Sequence, residues 1–399
     1  MVLPRPDHVP AELVRDFDHV TGAEFAADPF AAFQRAREDR VFWSPHHGGY
    51  WVLTRTADIR QAMQHPELFS NWPTGIPAHA AREQRMVPLE LDPPEHTTYR
   101  RVLAPMFAPK AVALRTAAIE TTCAQLVDAV ADKGGCEFVA EFAQPFPTTI
   151  FTNLLGLPTA ESDRFVEWNG VLVHGYGDPA ARQQAAIDIN AYLKDLIAER
   201  RAQRRDDLIS VLLDSPVDGR PIRDDEVQNI AFLLFVAGLD TMTAALSFAF
   251  RFLAEHESHR RHLVEHPESI PSAVEELLRV HAFVNPARTV TRDLEFAGVR
   301  MREGERVLVS TVLASNDPDE FDDPLDVRFD RQANRHLAFG AGPHRCAGSH
   351  LAREEMTTAL QSWHARIPDY APRPDAPIVQ HAGGAMGIDR LELVWPSQG

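Results

Sequence analysis

Cysteine is scarce: 3 of 399 residues, at positions 123, 136 and 346. That is too few for a disulfide framework, and the scarcity fits a reducing cytosol. Positive charge is short as well, with 40 Lys and Arg against 57 Asp and Glu and a formal net charge of −17. Such a surface lacks the basic footprint that general binding to nucleic acid or anionic membranes needs. The most apolar stretch, Ile230 to Leu239, is far below the ~20 residues that span a bilayer. The opening Met1-Val2-Leu3-Pro4-Arg5-Pro6 has no apolar core of signal-peptide length. A cytoplasmic location without membrane attachment is therefore expected. Repeats, low-complexity tracts and Gly/Ser linkers are missing, and the prolines are spread along the chain, so 1–399 is expected to form one domain. With 44% hydrophobic and 24% charged residues, the chain has the balance of a folded protein able to enclose a cofactor.

Helical periodicity dominates, with helices expected near 112–132, 181–203, 224–255, 272–280 and 349–364. The segment 224–255 opens on Asp224-Asp225-Glu226, acids suited to a helix N-terminus. Unbroken, its roughly 30 residues would run about 45 Å. Val41–Ser44 and Tyr50–Leu53 flank His-His-Gly-Gly and read as a hairpin. A second small sheet is expected from Leu294-Glu295-Phe296, Val299 and Val307-Leu308-Val309, and a third around Leu391 to Trp395. The expected class is mainly α with small β sheets.

Chemistry concentrates in Phe339-Gly340-Ala341-Gly342-Pro343-His344-Arg345-Cys346-Ala347-Gly348. A lone cysteine is by default a buried structural thiol, and zinc is disfavoured because no second cysteine lies nearby. Here, however, glycines can bend the chain around a sulfur and aim amide N–H groups at it. Leu351, Ala352, Met356, Leu360 and Trp363 follow at helical spacing, which puts Cys346 just before a helix N-terminus that favours a thiolate. The pattern F-G-x-G-x-H-x-C-x-G resembles the haem-binding loop of cytochromes P450. That resemblance implies the P450 fold, haem b, and Cys346 as the thiolate ligand of its iron.

Other motifs follow in family order. Ala237-Gly238-Leu239-Asp240-Thr241 puts a glycine, an acid and a hydroxyl inside an apolar helix. Alone, it reads as a satisfied core Asp and a Thr bonded back to its own helix. By resemblance it is the oxygen-activating motif, with Thr241 beside bound O₂ and Asp240 as proton-relay acid. Glu276-Leu277-Leu278-Arg279 matches the family's E-x-x-R, which by default would be a surface pair. Arg328 is expected as its third member, in a structural role. His96 and Arg100, four apart after Asp92-Pro93-Pro94, together with Arg288 and His344, match residues that contact the haem propionates.

The resemblance spans the chain and is nearest to the soluble camphor-hydroxylating branch. It departs at Gln84, where that branch often carries a substrate-contacting tyrosine, and at Gly75, where a bulky aromatic is common. By family position, Gln84, Leu89, Leu233, Val236, Val284 and Ala385 should line the substrate space, which is mostly apolar. The implied reaction inserts one oxygen atom of O₂ into a C–H bond of a small apolar molecule, a terpenoid being favoured. Electrons would come from a ferredoxin with its reductase, or a flavodoxin, docking near Arg60, Arg100 and Arg345. A peroxide-driven peroxygenase and a non-catalytic haem sensor are the alternatives; the acid–alcohol pair argues against both.

Overall fold

A computed structural model describes residues 3–78 and 85–396. The helices that frame its interior are α1 (Glu95–Leu103), α2 (Thr116–Ala131), α3 (Pro145–Leu155), α4 (Ser162–His174), α5 (Pro179–Ala202), α6 (Asp224–Gly238), α7 (Thr241–Glu255), α8 (Ile270–Val280) and α9 (Ser349–Arg366). They form where apolar residues recur at three- and four-residue spacing and so present a continuous face to the core. The architecture is mainly α with small sheets.

The stretch expected as one helix over 224–255 is two. Its first turn is anchored as its acids suggest, with the Arg223 backbone N–H donating to Glu226 Oε2 at 2.8 Å. The break falls at Leu239 and Asp240, and two residues account for it. Gly238 has no side chain, and the Phe151 ring fills the space where a Cβ would stand. The Thr241 hydroxyl donates to the Ala237 carbonyl at 3.0 Å, a bond from a side chain to its own helix that bends the axis. Taken together, 224–255 is long and apolar enough to cross a membrane, a longer stretch than the run 230–239 suggests, yet 61% of its most apolar window is buried inside the protein.

The hairpin forms where expected, Val41–Ser44 antiparallel to Tyr50–Leu53 with Trp43 opposite Trp51. The second sheet is arranged differently from expectation. Leu294–Phe296 pairs only with Val299–Met301, whereas Arg306–Leu308 runs parallel to Tyr50–Leu53 and antiparallel to Ala287–Val290. The long apolar side chains of Val307 and Leu308 are buried by joining that larger sheet. The strand Glu392–Val394 near the C-terminus pairs with Gly135–Glu137.

The interior is set by aromatic packing between α9 and its neighbours. The Trp363 ring meets Phe142 at 5.0 Å, Phe138 at 5.2 Å and Phe250 at 5.4 Å between centroids. Edge-to-face aromatic contacts of this kind fix orientation as well as burying area. They fix the C-terminal end of α9 against α7 and the segment 138–142.

Candidate active site

The loop before α9 takes the bend its glycines permit. Gly340 and Gly342 both adopt φ +69°. A Cβ at Gly342 would lie 2.5 Å from the Met63 carbonyl oxygen, so only glycine lets this loop rest on the helix Thr56–Gln64. The Cys346 N–H donates to the Phe339 carbonyl at 2.9 Å, and the Gly348 N–H is bonded to the Cys346 sulfur. Cys346 is exposed and lines a cavity. Burial pushes its pKa up; the Gly348 amide and the guanidinium groups of Arg100, Arg345 and Arg353 pull it back toward the thiolate. The groups around the sulfur would fit a metal-bound thiolate.

His96, Arg100, Arg288 and His344 converge on the same cavity, from α1, the strand Ala287–Val290 and the cysteine loop. The rings of His96 and His344 are 4.3 Å apart between centroids. Burial drives Arg288 down to about 10, His96 to about 4 and His344 to about 2, and for the histidines nearby positive charge adds to that. His96 Nδ1 and His344 Nε2 are buried with no hydrogen-bond partner. Buried donors that repel one another and face a cavity call for an anion. Two propionates beside a sulfur-bound iron would satisfy them, so these residues fit haem.

The rest of the lining is mostly apolar. Leu89, Leu233, Val284 and Phe151 contribute to it, and Thr241 adds its hydroxyl. Two residues expected there stand elsewhere. Val236 is on the far side of α6 from the lining positions 233, 234, 237 and 238, and Ala385, which pairs with Val284 in an antiparallel bridge, is not among the lining residues. Gln84 lies outside the described residues. Asp240 does not line the cavity: its Oδ2 is 2.9 Å from His174 Nε2. The cavity volume is about 350 Å³, within the ~300–1,000 Å³ of small-molecule pockets.

Residues 178–363 match the family model described as Cytochrome P450. Probable cytochrome P450 127A1 of Sinorhizobium fredii is 36% identical over 98% of this chain and 97% of its own length. The chain belongs to the cytochrome P450 family. The Steroid C26-monooxygenase of Mycolicibacterium smegmatis is 34% identical over 95% of this chain and 96% of that protein. The crystal structure of CYP101J2 superposes with a TM-score of 0.90 at 33% identity, covering 98% of this chain and 99% of that one.

As a P450 monooxygenase the protein uses haem b, which supplies the iron centre for O₂ activation and, through a thiolate ligand, the electron density that favours O–O cleavage. The protein's task is to orient, exclude water and deliver protons. Orientation begins with the buried E-x-x-R. Arg279 Nε and Nη2 each donate to Glu276 at 2.8 Å, and Arg279 also reaches the carbonyls of Ser315, Pro324 and Asp326. The third member is Arg331 rather than Arg328. Arg331 Nε donates to Glu276 at 2.9 Å and its side chain is buried. Arg328 offers only its backbone N–H to Glu276, at 3.0 Å, and turns its side chain out toward Asp323 and Asp330.

A second clamp was not anticipated. Glu275 accepts two bonds from Arg353 on α9, at 2.5 and 2.9 Å, and lies 3.1 Å from His336 Nε2. Arg353 in turn stacks over the Phe339 ring at 4.6 Å. Adjacent acids on α8 thus hold both ends of the loop region, Glu276 from one side and Glu275 from the other. The sequence signal was the doubled acid Glu275-Glu276, of which only the second belongs to a motif.

Proposed function

We propose that Cys346 is the thiolate ligand of haem iron in one domain spanning 1–399, that His96, Arg100, Arg288 and His344 bind the propionates, and that the enzyme hydroxylates a terpenoid. The observation that carries this reading is that one cavity is lined by the Cys346 sulfur, by His96, Arg100, Arg288 and His344, and otherwise mostly by apolar side chains, with Thr241 among them. Leu89, Leu233, Val284 and Phe151 would hold a hydrocarbon substrate by burial, worth roughly 25 cal/mol per Å². A relative named for steroid oxidation supports a lipophilic substrate of this kind. The Thr241 hydroxyl orders the proton donor next to the reacting oxygen, and Asp240 supplies the proton.

Electrons reach the haem from a ferredoxin with its reductase, in the cytoplasm. Arg345, exposed in the cysteine loop with its guanidinium bonded, among the described residues, only to the neutral Ser349 hydroxyl at 3.1 Å, is the cation we assign to an acidic partner. Arg60 is held by Glu320 at 2.8 Å, and Arg100 by the Arg345 carbonyl at 2.5 Å, which leaves both less free to dock.

Thr241→Ala tests the reading. The variant is expected to keep its substrate-induced haem spin shift and its NADH consumption while forming less product and more hydrogen peroxide. Product per NADH equal to wild type would remove Thr241 from proton delivery. Equal turnover driven by hydrogen peroxide alone, without a ferredoxin system, would favour a peroxygenase.

A further inference from the structure

Asp240 is the inner end of a line of titratable groups that leads to the surface. Its Oδ2 is 2.9 Å from Nε2 of His174, the last residue of α4. The His174 ring lies 4.1 Å from that of His381, centroid to centroid, with the planes at 50°. His381 Nδ1 is 2.8 Å from Asp389 Oδ1, and the Asp389 side chain is 51% exposed. The nitrogens left over, His174 Nδ1 and His381 Nε2, are both buried and both without a partner. Each ring of the touching pair therefore keeps one free nitrogen.

The slot for His381 is made by a glycine. A Cβ on Gly387, which stands opposite His381 in its strand pair, would lie 2.6 Å from the His381 ring. The surrounding groups leave the line intact. The Tyr176 hydroxyl accepts from the Gly384 N–H at 3.1 Å, and Arg182 lies over the Tyr176 ring while its Nε donates to the Leu172 carbonyl. Burial by itself would raise Asp240, but the bond to His174 and the positive charge of His174 and His381 hold it below its ordinary value.

We infer that Asp389, His381 and His174 form a proton wire that recharges Asp240 from solvent. The inference rests on Asp240 and Thr241 delivering protons, as proposed above. A proton from solvent passes by way of Asp389 to His381 Nδ1, and His381 releases one from Nε2 to His174 Nδ1. His174 then releases its Nε2 proton to Asp240 Oδ2, which turns toward Thr241 and gives it up there. The sum is one proton moved from solvent to cavity with no electron transferred; each ring is left as its other tautomer and returns to the starting one by exchanging one proton for another with solvent, with no net transfer. No hydrogen bond joins the two rings as they stand, so rotation of one ring is part of each transfer. His174 and His381 are relay residues; neither lines the cavity.

His381→Phe removes the middle of the wire and leaves the His174–Asp240 bond in place. In the holoenzyme with its ferredoxin system, product formation is expected to slow about tenfold. That is less than the ~10²–10⁴-fold worth of a positioned proton-transfer group, because solvent reaches Asp240 by slower routes. The solvent deuterium isotope effect is expected to rise and the loss to deepen with increasing pH, while the spin shift on substrate binding is unchanged. Imidazole ¹⁵N signals of the diamagnetic ferrous carbon monoxide complex give a readout independent of turnover. In wild type the His174 and His381 signals should move together with pH, and in Asp389→Asn the midpoint of both should shift. Wild-type isotope effect and product per NADH in His381→Phe would overturn the wire. If Thr241→Ala is uncoupled in the same assays, that failure leaves the reading of Thr241 standing; if Thr241→Ala is also unchanged, both fall.

Discussion

Arg331 donates from a single Nε to both oxygens of Glu276, at 2.9 and 3.1 Å, across 55 residues of chain. Glu276 also receives Arg279, the Asn334 amide at 3.0 Å and the Arg328 backbone N–H. The carboxylate is 1% exposed, so its charge is compensated by protein groups alone. Such a cluster determines where residues 326–334 run, and they lead straight into the cysteine loop.

Removing one donor from a buried ion pair strands charge. Arg331→Ala is therefore expected to lower stability by about 2–3 kcal/mol, short of the ~3–5 kcal/mol of a severed lone pair because three partners of Glu276 remain. Arg328→Ala should change it by no more than ~0.5 kcal/mol, as for other surface substitutions. Urea denaturation of the two variants decides the matter, and equal losses would refute the assignment of Arg331.

Much of this site is legible in the sequence because its signals are local. The glycines, the cysteine and the helix after it stand within thirty residues, and His96 and Arg100 share one helix face by spacing alone. What escaped depends on chain far away. The choice between Arg328 and Arg331 is made by an irregular loop with no periodicity to read. The break at Asp240 needs Phe151, which arrives from α3 to fill the space at Gly238. Val236 is a different case, since positions 233, 234, 237 and 238 define a helix face that excludes it, and that spacing is legible in the sequence. The His174–Asp240 contact joins segments 66 residues apart and leaves no mark on either.

The three cysteines make the ligand testable by spectroscopy. Burial pushes the pKa of all three up, and place separates them: Cys346 lines the cavity, whereas Cys123 and Cys136 are buried away from it. Cys346→His should abolish the red-shifted Soret band of the ferrous carbon monoxide complex, while Cys123→Ser and Cys136→Ser keep it. An unchanged band in the Cys346 variant would rule out this residue as the iron's ligand.

Glu275 should make the hold on the cysteine loop sensitive to acid. Burial opposes its ionisation, but Arg353 and His336 outweigh that and bring it from 4.5 to about 2. A carboxyl whose pKa is lowered by folding stabilises the fold fully above its unfolded value, and that contribution fades as pH falls through the folded one. At 1.36 kcal/mol per pKa unit, the contribution is on the order of 3 kcal/mol at neutral pH. Glu275→Gln should thus be less stable than wild type at pH 6, with the gap narrowing between pH 5 and 3. A gap constant over that range in urea titrations would mean that the charge of Glu275 contributes nothing.

Gly238 should control how large a substrate the cavity accepts. A Cβ there would lie 2.2 Å from Cε2 of Phe151, well inside contact distance. Phe151 is buried and lines the cavity, so the ring has to yield toward the space where substrate sits. The fold itself should tolerate Gly238→Ala, because alanine gains ~1 kcal/mol of helix propensity against an overpacking penalty of ~1–3 kcal/mol. Substrate binding should not tolerate it evenly. Molecules that fill the cavity lose about tenfold in affinity, or 1.4 kcal/mol, while small ones that leave Phe151 room lose little. Spin-shift titrations with terpenoids of increasing size measure this directly. Adding Phe151→Leu to Gly238→Ala shortens the displaced side chain and should return the larger substrates to wild-type affinity. A uniform loss across the size series, or no recovery in the double variant, would mean that Gly238 shapes the helix break and not the substrate space.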